Sequence, residues 1–127
     1  MAAPIRILLV EDNEVYRSSL ELLLGMEEDL EVVGGVADGR AAAAAAVDAA
    51  ADVVLMDFRL PGSDGAEATR AVLAARPQAA VVCLTAEATP EEDEDVRAAG
   101  ASALVRKGGP LELLVATIRQ AAEDARR

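Results

Sequence analysis

The stretch Val53-Val54-Leu55-Met56-Asp57-Phe58-Arg59-Leu60-Pro61-Gly62-Ser63-Asp64-Gly65 decides the fold of this chain. Its first four residues are an unbroken apolar run, the pattern of a strand buried on both faces of a parallel sheet. The run ends on a carboxylate, Asp57, and a Pro-Gly turn follows. Asp64-Gly65-Ala66-Glu67 then reads as a helix cap with a Glu three residues on. A doubly buried strand that feeds a helix through a short loop is one unit of an α/β protein.

The same unit recurs outward from this stretch. Strands are predicted over Ile5 to Val10, Leu30 to Val36, Asp52 to Met56, Ala79 to Leu84 and Ser102 to Val105. Between them the apolar spacing turns helical. The first helix runs from Asn13, a plausible N-cap, to about Met26, with Val15, Leu20, Leu23 and Leu24 on one side. Asp38 caps an Ala-rich helix over Arg40 to about Ala50, made of the best helix former. The third runs from Asp64 to about Ala75. Thr89-Pro90-Glu91-Glu92 supplies a cap, a proline at the first helical position and a Glu three residues after the cap, opening a helix that ends near Gly100. Gly109-Pro110 opens the last helix, with Leu111, Leu114, Val115 and Ile118 on one face.

Five (βα) units with short loops imply a parallel sheet covered by helices on both faces. Right-handed crossovers favour the doubly wound, flavodoxin-like α/β fold with strand order 2-1-3-4-5. A length of 127 residues suits one domain over 1–127, in which about 121–127 is a helix end or the start of a linker. With one Tyr, one Phe and no Trp, the core is built from Val, Leu, Ile and Ala.

A net charge of −11 speaks against nucleic-acid contact by this domain and against an anionic membrane surface, and suits a cation or a basic partner. No segment is long enough to span a membrane, and the expected compartment is the cytoplasm. The single cysteine, Cys83, sits in the apolar AAVVCL segment and reads as a core residue, since the chain has no histidine to activate it.

Ligands of open α/β sheets bind beyond the carboxyl ends of the strands. There the first strand delivers Glu11 and Asp12, the third Asp57, the fourth Thr85 and Ala86, and the fifth Arg106 and Lys107. Three uncompensated carboxylates so close repel one another. A hard divalent cation relieves this, and magnesium fits because it takes a few carboxylates, keeps waters and leaves room for a phosphate oxygen. The lysine pairs with an anion beside the metal. Each acid taken singly is more often a helix cap than a ligand, and Glu11 and Asp12 stand at the helix start by Asn13; the constellation of five polar groups is what points to a site.

These residues carry a resemblance over essentially the whole chain. ILLVEDN at 7–13, VVLMDFRLPGSDG at 53–65, VVCLTA at 81–86 and Lys107 resemble the receiver domain of bacterial two-component response regulators. The ILLVEDN start, the EVVGGVADG segment and the MDFRLPGSDG loop together look most like the subfamily with a C-terminal LuxR-type helix-turn-helix. The resemblance implies that Asp57 accepts a phosphoryl group from a sensor histidine kinase or phosphotransfer protein. Asp12 and Asp57 then bind Mg2+ directly, Glu11 assists, and the Arg59 carbonyl is the remaining protein ligand. Lys107, the Thr85 hydroxyl and the Ala86 amide meet the phosphoryl group. The output implied is transcription regulation through a further domain, and the chain is a signalling switch rather than an enzyme. A homodimer through the last helices is compatible with the pattern.

Three features depart from the family pattern. The first acid is Glu11 rather than Asp. Leu104 stands where receivers usually place a Tyr or Phe that turns inward as Thr85 moves. Glycine, not proline, follows Lys107, so no cis-proline step is expected there and the loop should be flexible. Arg59 and Glu87, each two residues past a site residue, flank the approach to Asp57 and are placed to pair across its mouth. The run Glu91-Glu92-Asp93-Glu94-Asp95 serves the helix start; it also offers a docking face. A phosphatase with Asp57 as nucleophile, like the haloacid dehalogenase-like enzymes, would need its nucleophile on the first strand and a second Asp where Arg59 stands. A receiver that acts unphosphorylated, as an interaction module, is the other alternative.

Overall fold

The computed structural model describes residues 3–127. Five parallel strands form one sheet: β1 (Ile5–Val10), β2 (Leu30–Val36), β3 (Val53–Asp57), β4 (Ala80–Thr85) and β5 (Ala103–Arg106). Their spatial order is β2-β1-β3-β4-β5. This is the flavodoxin-like order predicted from the alternating pattern, with the chain reversing direction across the sheet between β1 and β3. The α-helices are α1 (Glu14–Gly25), α2 (Ala42–Asp48), α3 (Gly65–Ala75), α4 (Pro90–Ala98) and α5 (Leu111–Ala125).

Successive strand residues point to opposite faces, which divides the apolar runs into two cores. Ile7, Leu9, Leu55, Val82 and Leu84 pack with Leu20, Leu24, Leu114 and Ile118 from α1 and α5. Leu8, Val10, Val54, Met56, Val81 and Cys83 pack on the other side with Ala42, Ala46, Val72 and Val96 from α2, α3 and α4. Alanines at the contacts let α2 sit close to the sheet without aromatic filler.

Several boundaries differ from the sequence reading. Asp57 belongs to β3 itself: it pairs with Leu84, and the next amide, Phe58 N–H, still donates to the Leu84 carbonyl at 2.8 Å. β4 and β5 likewise run on to Thr85 and Arg106, which pair with each other. Backbone pairing with a neighbour, not side-chain polarity, sets where a buried strand ends. The Ala-rich helix is shorter than predicted, because Gly39–Ala41 form a 3-10 turn capped by Asp38 before α2 starts. α5 extends to Ala125; Ala121 and Ala122 are buried in the core, and the helical residues after them are exposed.

After β3, Arg59–Leu60 and Ser63–Asp64 form a two-rung antiparallel ribbon around Pro61-Gly62. The ribbon returns the chain to Asp64, whose carboxylate accepts the Glu67 N–H at 2.7 Å and starts α3. Gly65 is required by space: a Cβ there would lie 2.7 Å from the Phe58 Cα, and its N–H donates to the Phe58 carbonyl at 2.7 Å. The helix start is thereby clamped to the residue next to Asp57. Among the described residues no helix is long and apolar enough to cross a membrane.

Candidate functional site

Strand pairing brings the predicted residues to one edge of the sheet. β1 ends at Val10, beside Met56, so Glu11 and Asp12 emerge next to Asp57. β5 ends at Arg106, and the Lys107 N–H donates to the Thr85 carbonyl at 2.7 Å, which aims the lysine back across the strand ends. One carboxylate oxygen from each of Glu11, Asp12 and Asp57 lies within 4.8 Å of the other two. Glu11 and Asp57 are buried, while Asp12 faces solvent.

The Lys107 Nζ lies 2.6 Å from Glu11 Oε1 and 3.1 Å from Asp57 Oδ2. Burial works against its charge, but the Glu11 hydrogen bond and the Asp57 charge outweigh it, and its pKa lies above the ordinary lysine value. The remaining carboxylate oxygens are partly committed to backbone donors. Arg59 N–H donates to Asp57 Oδ1 at 3.2 Å, and Asn13 N–H to Glu11 Oε2 at 3.3 Å. Arg17 Nη1 donates to the Glu11 carbonyl at 2.6 Å. Glu11 therefore serves both readings made of it: it meets the Asn13 amide at the helix entrance and it faces the acid cluster. Asn13 caps α1 through the Tyr16 amide at 2.9 Å.

Two contacts were not visible in the sequence. The Tyr16 ring lies under Lys107, with Nζ 5.0 Å from its centroid, a cation–π arrangement. Burial raises the Tyr16 pKa, against the opposing pull of Lys107. The second contact is at Thr85, whose buried hydroxyl donates to Glu92 Oε1 at 2.9 Å. The cap motif flagged Glu92 only as a partner for the Thr89 amide, and that bond is present at 3.2 Å as half of a full capping box. Nothing in the local spacing indicated that the same carboxylate reaches back to β4.

Arg59 does not pair with Glu87. Its Nη2 lies 3.7 Å from Glu92 Oε2, while the Glu87 carbonyl accepts from Arg106 Nη2 at 3.3 Å. Both residues are expected at the mouth, but it is the first turn of α4 that meets Arg59; Ala88, in the loop before it, takes φ 55°. Leu104 is half-buried in the α2–α3–α4 layer, the layer that also takes Phe58, whereas Tyr16 packs on the opposite layer. Ala86 is exposed beside the site, and Asp12, Phe58, Arg59, Leu60 and Pro61 line an open depression next to it. Gly108 takes φ 81° in the turn to α5, and no cis peptide occurs among the described residues.

The donor set is all oxygen, carries three carboxylates in one cluster, and has an exposed member. It fits a hard divalent cation of the magnesium kind.

Comparisons with known proteins agree with this geometry. The family model of the response regulator receiver domain matches residues 7–119. The response regulator GacA of Pseudomonas aeruginosa is 36% identical over 116 residues, covering 91% of this chain and 54% of that protein. The transcriptional regulatory protein LiaR of Bacillus subtilis is 32% identical, over 94% of this chain and 56% of its own. The chain thus spans about half the length of these curated relatives. A LuxR-family two-component response regulator from Aurantimonas sp. SI85-9A1 superposes with TM-score 0.90 at 29% identity, covering 96% of this chain and 87% of that one. The receiver domain of the putative regulator NarL from Mycobacterium tuberculosis gives 0.90 at 25% identity, over 96% and 98%. The motifs, the strand order and the acid cluster at the strand ends coincide with these matches, and the chain belongs to the response regulator receiver domain family, with LuxR-type regulators among its relatives.

Proposed function

We propose that residues 1–127 form a receiver domain that takes a phosphoryl group onto Asp57 from a phosphohistidine of a sensor histidine kinase or phosphotransfer protein, and so controls transcription through an output domain. The observation that carries this reading is Lys107 bridging Glu11 and Asp57 at 2.6 and 3.1 Å within the three-carboxylate cluster. An ammonium fixed among acids is placed to accompany a highly charged anion.

In the reaction a carboxylate oxygen of Asp57 attacks phosphorus. The P–N bond to the donor imidazole breaks as the P–O bond forms, and the electron pair leaves on the imidazole, which takes up a proton from water. The Arg59 amide orients the Asp57 carboxylate through Oδ1. Lys107, protonated throughout the neutral range, neutralises the developing charge. At the end of β4, the Thr85 hydroxyl, once freed from Glu92, and the amide of the exposed residue Ala86 are the donors for phosphoryl oxygens. Glu11, Asp12, Asp57 and the Arg59 carbonyl would hold magnesium, which when bound supplies positive charge against the equatorial oxygens. Water attacking the same phosphorus returns the free carboxylate, so the chain turns over only its own phosphate.

Beryllofluoride, a phosphoryl mimic, tests this. With magnesium present, amide resonances of Asp57, Thr85, Ala86 and Lys107 should move in the native chain and stay fixed in Asp57→Asn. Resonances that stay fixed in the native chain too would leave the unphosphorylated interaction module as the reading.

A further inference from the structure

Glu92 is buried, 7% exposed, at the first turn of a helix on which Glu91, Glu94 and Asp95 are exposed and Asp93 is half-buried beside Arg97. A capping-box glutamate needs one partner, the N-cap amide. Glu92 has three. Its Oε1 accepts from the Thr89 N–H at 3.2 Å and from the Thr85 hydroxyl at 2.9 Å, and its Oε2 faces Arg59 Nη2 at 3.7 Å. Thr89 Oγ1 in turn accepts the Glu92 N–H at 3.2 Å. One carboxylate therefore ties the end of β4, the start of α4 and the loop after Asp57.

The consequence lies in the proton count at Thr85. A threonine hydroxyl has one proton to donate. While it goes to Glu92, it cannot go to an anion on Asp57. We propose that Glu92 is a positioning residue for phosphoryl acceptance: it holds the Thr85 hydroxyl in the resting state and must release it for the phosphorylated state to form. This rests on the receiver reading above. On release, Glu92 loses a charge-assisted bond that ordered it against β4 and keeps Thr89 and Arg59. The N-terminal turn of α4 is thereby uncoupled from Thr85. With Leu104 in place of an aromatic, this carboxylate provides the second half of the coupling between Asp57 and the α4 face.

The test is a cycle of magnesium–beryllofluoride titrations followed by NMR on the full chain, with native protein, Glu92→Gln, Thr85→Ala and the double variant. Glutamine keeps an acceptor for the Thr89 amide, so the cap and the fold persist, which circular dichroism checks. Its neutral amide oxygen holds the Thr85 hydroxyl less strongly than the carboxylate does, so Glu92→Gln should tighten binding about three- to tenfold, the difference between a charged and a neutral acceptor. The tightening should vanish on the Thr85→Ala background, and the Thr85 methyl in Glu92→Gln should move toward its beryllofluoride-bound shift before any ligand is added. A general effect of removing a negative charge would persist without the Thr85 hydroxyl. Unchanged or weaker binding in Glu92→Gln, or equal tightening with and without Thr85, overturns the proposal while leaving Asp57 as acceptor. A native chain that binds no beryllofluoride overturns both.

Discussion

Lys107 Nζ lies 2.6 Å from Glu11 Oε1 and 3.1 Å from Asp57 Oδ2, so one ammonium joins the ends of β1, β3 and β5. Glu11 and Asp57 are buried, and Lys107 is their charged partner in the site. Removing it leaves two buried carboxylates facing each other. Lys107→Ala should destabilise the chain by about 1–3 kcal/mol in metal-free buffer, less than a fully buried pair because the lysine is partly exposed. Urea unfolding measures this. Magnesium should restore more stability to Lys107→Ala than to the native chain, since a cation replaces the missing charge.

The acid cluster also predicts a metal-linked stability. Magnesium at tenfold over its Kd should raise native stability by about 1.4 kcal/mol. Asp57→Asn removes one carboxylate of the cluster and should gain distinctly less. Thermal melts with and without magnesium check this, and equal gains in the two proteins would place the cation elsewhere.

Arg59 is mostly exposed and its contact to Glu92 is 3.7 Å, a pair of the kind that contributes about 0–1 kcal/mol. Arg59→Ala should leave the melting temperature nearly unchanged and alter the half-life of the phosphorylated form, because the side chain stands at the approach to Asp57. An unchanged half-life with a clearly lower melting temperature would refute this assignment.

Cys83 offers a pH signature. Burial pushes its thiol up to about 11, while Thr69 at 3.6 Å opposes the shift. The unfolded thiol loses its proton near the ordinary value, so the unfolded state binds fewer protons than the native one above about pH 9. Stability from this group is therefore complete below that pH and is lost as pH rises toward 11, by about 2 kcal/mol. Denaturant midpoints across that window should fall more steeply in the native chain than in Cys83→Ala. The native thiol should also resist alkylation at pH 8.

Gly65→Ala forces a Cβ to 2.7 Å from the Phe58 Cα, a backbone atom that cannot step aside. Overpacking of this kind costs about 1–3 kcal/mol. Because the strain falls beside Asp57, it should also weaken beryllofluoride binding, which calorimetry reads.

The fold was legible in the sequence because each level pointed the same way. VVLM at 53–56 demanded two covered faces, the caps at Asn13, Asp64 and Thr89 marked three helix starts, and the alternation fixed strand order through connection rules. The acid cluster was legible because sheet topology places strand ends together. What the sequence concealed lies in side-chain reach across elements. Glu92 looked complete as a cap, yet its carboxylate extends to Thr85 and Arg59, and no motif singled out Tyr16, whose ring lies under Lys107. Arg59 meets Glu92, in the first turn of α4, rather than Glu87 in the loop before it. Such contacts depend on the angle of one loop, which no local pattern encodes.

Intact-mass spectrometry after incubation with acetyl phosphate and magnesium tests the central claim most directly. The native chain should gain the mass of one phosphoryl group. The gain should be lost on adding a chelator, absent in Asp57→Asn and strongly reduced in Lys107→Ala. A gain that survives in Asp57→Asn, or none in the native chain with magnesium, would contradict Asp57 as the phosphoryl acceptor.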